Sequence, residues 1–119
     1  LTILVLDDEP EYLNFIRRVL EPRGFRILTA ANLEGARGVL WNREERFDLV
    51  IADIFLPDGY GVDFARESLK QLPQIKVIYI SGYSWHDLLD EGFDLDEDLF
   101  LQKPFSPKVL YSRVVKMLA

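Results

Sequence analysis

ILVLDDEP, residues 3–10, joins a short apolar run to three consecutive acids and a proline. The run Ile3–Leu6 has the length and the β-branched content of a buried strand. Pro10 favours the first turn of a helix, and acids at the start of a helix are stabilised by its dipole. The stretch therefore predicts a strand that passes directly into a helix, with three carboxylates at the junction.

Strand-length apolar runs and helical apolar faces alternate along the chain. The further runs are Phe25–Leu28, Leu49–Ile54, Val77–Ile80 and Leu99–Leu101. A typical helical face, after the third run, consists of Val62, Ala65, Leu69 and Leu72. This alternation predicts an α/β domain of five βα units around a doubly wound parallel sheet. Leu88 and Leu89 indicate only a short or irregular fourth helix, because Gly92 and several acids follow.

The composition indicates one small globular domain. The chain has 119 residues, 49 % of them hydrophobic, which is enough apolar material for a single domain over residues 1–119. Because it begins at Leu1, we expect it to be a module of a longer protein. No apolar run reaches the roughly 20 residues of a membrane span, so we expect no membrane contact by this domain. The lack of cysteine excludes disulfides and thiolate metal sites.

The net charge of −6 comes from one segment. Between Ser81 and Gln102 there are seven acids and no Lys or Arg, whereas the rest of the chain has 13 acids and 14 basic residues. An acidic chain without a basic stripe argues against nucleic-acid binding by this domain. The acidic segment is either a solvated surface or a surface that selects a basic partner or blocks symmetric pairing by repulsion.

Reactive side chains follow four of the predicted strands. They are Asp7 and Asp8, then Asp53, then Ser81, and finally Lys103. The carboxyl ends of parallel strands meet at one edge of a sheet, so these groups should lie together. Each residue type is also common in caps and turns, and the prediction depends on the combination. Three adjacent carboxylates repel one another unless cations compensate them, and oxygen ligands of this kind suit Mg²⁺.

The same groups can support chemistry at phosphorus. A carboxylate beside Mg²⁺, a lysine and a hydroxyl can attack a phosphorus atom and become an aspartyl phosphate. The chain has no GxxxxGK[ST] loop, so ATP binding by the domain itself is not expected.

Four motifs resemble the receiver domains of two-component response regulators. They are ILVLDDEP, DLVIADIFLPDGYG (residues 48–61), VIYISGYS (77–84) and LFLQKPF (99–105), and they span nearly the whole chain. The resemblance implies a flavodoxin-like fold with strand order 2-1-3-4-5. It also implies a phosphoacceptor that serves a histidine kinase in the cytoplasm and controls an attached output domain or a histidine phosphotransfer protein. The motif around Lys103 is most like receivers attached to hybrid sensor histidine kinases.

Individual roles follow from the same resemblance. Asp53 would accept the phosphoryl group from phosphohistidine. Asp8, Asp53 and the backbone carbonyl of Phe55 would bind Mg²⁺, with Asp7 as an outer partner acting largely through water. Lys103 would contact the phosphoryl oxygens.

The resemblance also implies a conformational switch. Ser81 would move toward the phosphoryl group while Phe100 turns inward behind it. The bond between Lys103 and Pro104 is expected to be cis, as in the family.

Side chains around the implied site suggest further properties. Phe55 and Tyr83 stand two residues after Asp53 and Ser81, where they could shield an acyl phosphate from water, which predicts slow self-dephosphorylation. Trp85 and His86 are expected on the surface, with the tryptophan marking an interface.

Two alternatives remain open. The chain could be a pseudo-receiver, a protein-interaction module that works without phosphorylation, or a phosphatase of the haloacid-dehalogenase type. The latter needs a second aspartate two positions after the nucleophile, where this chain has Phe55. Under the receiver hypothesis the domain catalyses its own phosphorylation and dephosphorylation, without small-molecule turnover.

Overall fold

Five parallel strands form the central sheet. The computed structural model describes residues 1–42 and 46–119. The strands are β1 (Thr2–Leu6), β2 (Arg26–Ala30), β3 (Leu49–Asp53), β4 (Lys76–Ser81) and β5 (Phe100–Gln102). Their order is β2-β1-β3-β4-β5, with every pair parallel. The predicted fold class and strand order are confirmed.

Helices connect the strands, and three of those described begin at a side-chain cap. The helices are α1 (Pro10–Leu20), α2 (Leu33–Leu40), α3 (Gly61–Gln71), α4 (Trp85–Asp90) and α5 (Pro107–Leu118). The side chains of Asn32, Ser84 and Ser106 accept backbone N–H groups in the first turns of α2, α4 and α5. The fourth helix has six residues, as the glycine and acids after Leu89 predicted. Within the described ranges, no helix is both long and apolar enough to cross a membrane.

The sheet separates two hydrophobic layers. Alternate residues of one strand face opposite sides, so Ile3 and Val5 pack with α1 and α5 while Leu4 and Leu6 pack with α2 and α3. All five residues of β3 are buried. Since helices cover both faces of the sheet, the polar residues that follow the strands are concentrated at the edge formed by the carboxyl ends of the strands.

One predicted helical face is wrong in part. Leu69 was expected to face the core, yet it is 41 % exposed. The buried side of α3 instead passes through Phe64, Ala65 and Ser68. The Ser68 hydroxyl donates to the Phe64 carbonyl at 2.8 Å, which satisfies a polar group on the apolar side. The prediction from hydrophobicity alone therefore placed the buried face of α3 about one residue away from its observed position.

A short hairpin positions the end of β3. Its strands are Phe55–Leu56 and Gly59–Tyr60. The carboxylate of Asp58 accepts the backbone N–H groups of Leu33 and Glu34 at 2.9 and 3.1 Å. These bonds fasten the hairpin to the start of α2. On the other side, α3 begins so close to β3 that a Cβ at Gly61 would overlap the carbonyl oxygen of Asp53.

We expect Gly61→Ala to lower the free energy of unfolding by about 1–3 kcal/mol, because the new methyl group meets backbone that cannot rotate away. The matched control is Gly38→Ala, in the exposed interior of α2, where an added Cβ meets nothing within 4 Å. That change should raise the free energy of unfolding by about 0.5–1 kcal/mol. Urea denaturation of both variants measures the difference; equal effects would contradict the close packing at Gly61.

Candidate functional site

Three aspartates meet at the carboxyl ends of β1 and β3. Asp7 is completely buried, Asp53 is 6 % exposed, and Asp8 is exposed. One carboxylate oxygen from each lies within 4.8 Å of the other two. The structure thus brings together the three acids that the strand ends predicted.

Lys103 enters this cluster from the end of β5. Its Nζ lies 2.8 Å from Asp7 Oδ2, 2.8 Å from Asp53 Oδ2 and 2.8 Å from Glu9 Oε1. The ammonium is also 4.2 Å from the centre of the Tyr12 ring, within cation–π range. The Lys103–Pro104 peptide bond is cis. One buried cation is therefore shared by three carboxylates and one aromatic face.

Backbone N–H groups fix one oxygen of each buried aspartate. The Glu9 N–H donates to Asp7 Oδ1 at 2.8 Å, and the Phe55 N–H donates to Asp53 Oδ1 at 3.1 Å. In both carboxylates the remaining oxygen faces Lys103. The orientation of the pair is thus set by the two loops, independently of anything bound between the side chains.

The site carries more negative than positive charge. Asp7, Asp8, Glu9 and Asp53 place four carboxylates around the single ammonium of Lys103. Asp7 Oδ2 is buried and close to that ammonium, but it is not aligned for a hydrogen bond and accepts none from the described residues. A buried carboxylate oxygen without a hydrogen bond, beside two further acids, fits a divalent cation with oxygen ligands.

Burial and pairing shift the ionisation of this group. Burial raises the pKa of Asp7 and of Asp53, against the lowering effect of their hydrogen bonds and of Lys103. Burial by itself lowers the pKa of Lys103, but its ion pairs with Asp53, Asp7 and Glu9 outweigh this and raise the pKa above its usual value. The lysine therefore remains a cation, while the two aspartates are ionised less easily than exposed ones.

Ser81 lies beside Asp53, and Phe100 is buried near α4. Asp53 pairs with Ile80 in the register of β3 and β4, so Ser81 follows directly beside it. Its hydroxyl is buried and accepts the Tyr83 N–H at 3.1 Å. Phe100, 6 % exposed, packs with Ile54 and the buried face of α4.

Two residues around Lys103, Glu9 and Tyr12, were not predicted. Glu9 is the third acid of the triplet at residues 7–9, but no role was predicted for it. Tyr12 follows it by three positions, which is about one helical turn. That spacing was an available signal for a contact beside the acids.

Two surface expectations have different outcomes. The ring centres of Phe55 and Tyr83 are 5.3 Å apart, so the two side chains are in contact with each other. His86 is exposed as expected, but the expectation that Trp85 is exposed is wrong. Its ring is half-buried, and its indole N–H donates to the Leu95 carbonyl at 2.9 Å. The ring packs against the buried cluster of Ile54, Leu88, Leu95 and Phe100.

Similarity to known proteins agrees with this geometry. Residues 3–115 match the response regulator receiver domain family. The transcriptional regulatory protein KdpE of Escherichia coli K12 is 35 % identical over 112 residues, covering 94 % of this chain and 48 % of KdpE. The sensor kinase CckA of Brucella abortus is 33 % identical over 118 residues, covering 98 % of this chain and 12 % of CckA.

A solved receiver domain described as CheY-like, from Methanospirillum hungatei JF-1, superposes with a TM-score of 0.82 at 28 % identity, covering 98 % of this chain and 92 % of that one. The chain spans about half the length of the first curated relatives that it matches. These similarities do not favour a phosphorylation-independent pseudo-receiver. The chain belongs to the response regulator receiver domain family, a family of phosphoacceptor signalling domains.

Proposed function

We propose that Asp53 accepts a phosphoryl group from the phosphohistidine of a histidine kinase or of its phosphohistidine domain. The observation that carries the proposal is the Asp53 carboxylate at the end of a buried strand, 2.8 Å from the ammonium of Lys103 and grouped with Asp7 and Asp8. A nucleophile, a fixed cation and a cation-binding acid pair are the components that phosphoryl transfer to a carboxylate requires.

In this reaction an ionised oxygen of Asp53 attacks phosphorus. A P–O bond forms while the P–N bond breaks, and the imidazole nitrogen leaves with the electron pair of that bond. The Phe55 N–H holds the carboxylate in orientation. Lys103 favours its ionised form and stabilises negative charge on the transferring oxygens.

We assign the metal site to the same edge of the sheet. Asp8, Asp53 and the backbone carbonyl of Phe55 would hold Mg²⁺, with Asp7 contributing largely through water. When bound there, Mg²⁺ neutralises charge on the phosphoryl oxygens. The buried Asp7 Oδ2 without a hydrogen bond supports this assignment.

Phosphorylation is proposed to act through Ser81 and Phe100. The Ser81 hydroxyl would exchange its contact with the Tyr83 N–H for a phosphoryl oxygen, which favours one of two conformations. Phe100 has no hydroxyl, so its inward position depends on packing alone, in a buried cluster with Ile54, Leu88 and Leu95. The readout would be the surface around α4 and β5.

The domain is proposed to work in the cytoplasm, where kinases have access to ATP. The phosphorylated state would control an attached output domain or pass the phosphoryl group to a histidine phosphotransfer protein. One relative is a transcriptional regulatory protein and another a sensor kinase, so both architectures have precedents among similar proteins.

The first test is phosphorylation by a small donor. With Mg²⁺ and acetyl phosphate, we expect the intact protein to gain the mass of one phosphoryl group and Asp53→Asn to gain none. Asp94→Asn, which removes an exposed acid outside the cluster, is the matched control and should react like the parent. Equal mass gain by Asp53→Asn would contradict the assignment of the acceptor.

Metal binding should appear as increased stability, since a ligand at 100 times its Kd adds about 2.7 kcal/mol. We expect Mg²⁺ to raise the Tm of the parent, EDTA to reverse this, and Asp8→Asn to weaken it strongly. The effect should diminish as acid protonates Asp7 and Asp53, whose pKa values are raised by burial. A full Mg²⁺ response in Asp8→Asn would contradict the ligand assignment.

The lifetime of the phosphorylated form tests the shielding by Phe55 and Tyr83. Their rings are in contact, and their backbone N–H groups bind Asp53 and Ser81, so replacing both with serine should admit water and accelerate loss of the phosphoryl group. Trp41→Ser, a change to an exposed aromatic residue on another part of the surface, should leave the lifetime unchanged. Measuring the phosphorylated fraction by mass spectrometry against time decides this; an unaltered lifetime in the double variant would rule out shielding.

A further inference from the structure

A second concave site lies between the β3 hairpin and α4. It has a volume of about 660 Å³, and it contains none of the carboxylates around Lys103. The rings of Phe55, Tyr60, Tyr83 and Phe93 form its aromatic wall. Phe55, Tyr60 and Tyr83 are 36 %, 47 % and 58 % exposed. So much aromatic surface turned to solvent around one depression is typical of a binding site.

The aromatic wall is held together by edge-to-face contacts. The Phe55 ring centre is 5.9 Å from that of Tyr60 and 5.5 Å from that of Phe93. Tyr60 and Phe93 are 5.5 Å apart. Because each ring supports the next, the wall is organised before any partner arrives, which reduces the entropy lost on binding.

Acids of α4 and of the residue that follows it form an acidic rim of the same depression. Asp87, Asp90 and Glu91 are exposed and line the depression. No basic side chain lines it, and none of the three carboxylates forms an ion pair within the described part of the chain. An aromatic wall and an uncompensated acidic rim in one depression favour a cationic occupant.

We infer that this depression, the aromatic–acidic pocket, binds an arginine side chain in a basic segment of a partner protein. A guanidinium group is planar, so it stacks on aromatic rings, and its N–H groups pair with carboxylates in a fixed fork. An ammonium group forms the ion pair but stacks less well. An apolar segment would desolvate the rim acids without compensating their charge.

The pocket adjoins the phosphoacceptor without sharing its charged groups. Phe55 connects them, because its N–H binds Asp53 Oδ1 while its ring belongs to the aromatic wall. Arginine binding is therefore expected in the unphosphorylated protein and in Asp53→Asn. A failure of the phosphotransfer proposal would leave this inference standing, and the reverse also holds.

The test is a titration with a capped Gly-Arg-Gly-Arg-Gly peptide at low ionic strength, followed by amide shifts in ¹H–¹⁵N NMR spectra. We expect saturable shifts centred on Phe55, Tyr60, Tyr83 and Phe93. The lysine version should bind several-fold more weakly, and the citrulline version, which keeps the shape but not the charge, should not bind.

Two triple variants with the same net charge separate the pocket from general attraction. Neutralising the rim with Asp87→Asn, Asp90→Asn and Glu91→Gln should weaken arginine binding by about tenfold or more, since several charge-assisted bonds are lost. Neutralising exposed acids outside the pocket with Asp94→Asn, Glu97→Gln and Asp98→Asn should change it by less than about twofold. Tyr83→Ala should weaken binding by about fivefold through loss of stacking. Thermal unfolding verifies that each variant is folded.

The inference is overturned if the arginine peptide does not bind, if its shifts lie elsewhere, or if both triple variants lose affinity equally. Equal binding of the citrulline peptide would also overturn it, because recognition would then not depend on the cation.

Discussion

The contacts of Lys103 with Asp7, Glu9 and Asp53 are the interaction on which the functional edge of this domain depends. Removing an ion from water costs several kcal/mol in proteins even after relaxation, and here Asp7, Asp53 and Lys103 are all buried. One ammonium cannot compensate two buried carboxylates equally. The pKa shifts agree with this. The raised pKa of Lys103 keeps the lysine charged, whereas the raised pKa values of Asp7 and Asp53 favour their neutral forms. Burial of these charges therefore lowers the free energy of unfolding, and the excess of carboxylates favours binding of a further cation.

The hydrophobic layers make this cost tolerable. β3, which carries Asp53, is buried along its whole length, and helices cover both faces of the sheet. Apolar burial stabilises the fold by roughly 25 cal/mol per Å², whereas the strained electrostatics are confined to a few side chains. The hairpin bonded to α2 through Asp58 and the close approach of α3 at Gly61 then hold the end of β3 in place. Rigid elements thus position charges that would otherwise separate.

Groups fixed by backbone topology were predictable, and those fixed by side-chain placement were less so. Asp7, Asp53, Ser81 and Lys103 could be assigned to one edge because parallel strands bring their carboxyl ends together whatever the details of packing. Glu9 and Tyr12 were not assigned, since their contact with Lys103 depends on how the first turn of α1 faces β5. Trp85 was misjudged for a similar reason, because it packs against a cluster that includes Ile54 and Phe100 from other elements of the fold.

The acidic segment shows the same limit and leads to a constraint on function. Its seven acids were visible as a charge imbalance, but only the structure separates the three that share a depression with aromatic rings from the others. Phe55 spans both sites, with its backbone on Asp53 and its ring in the aromatic–acidic pocket. Coupling between two sites is reciprocal in free energy. If phosphorylation of Asp53 shifts Phe55 and so changes the affinity of the pocket for arginine, occupancy of the pocket must change the phosphorylation equilibrium by the same factor. A partner bound there would then regulate the phosphorylated state as well as respond to it.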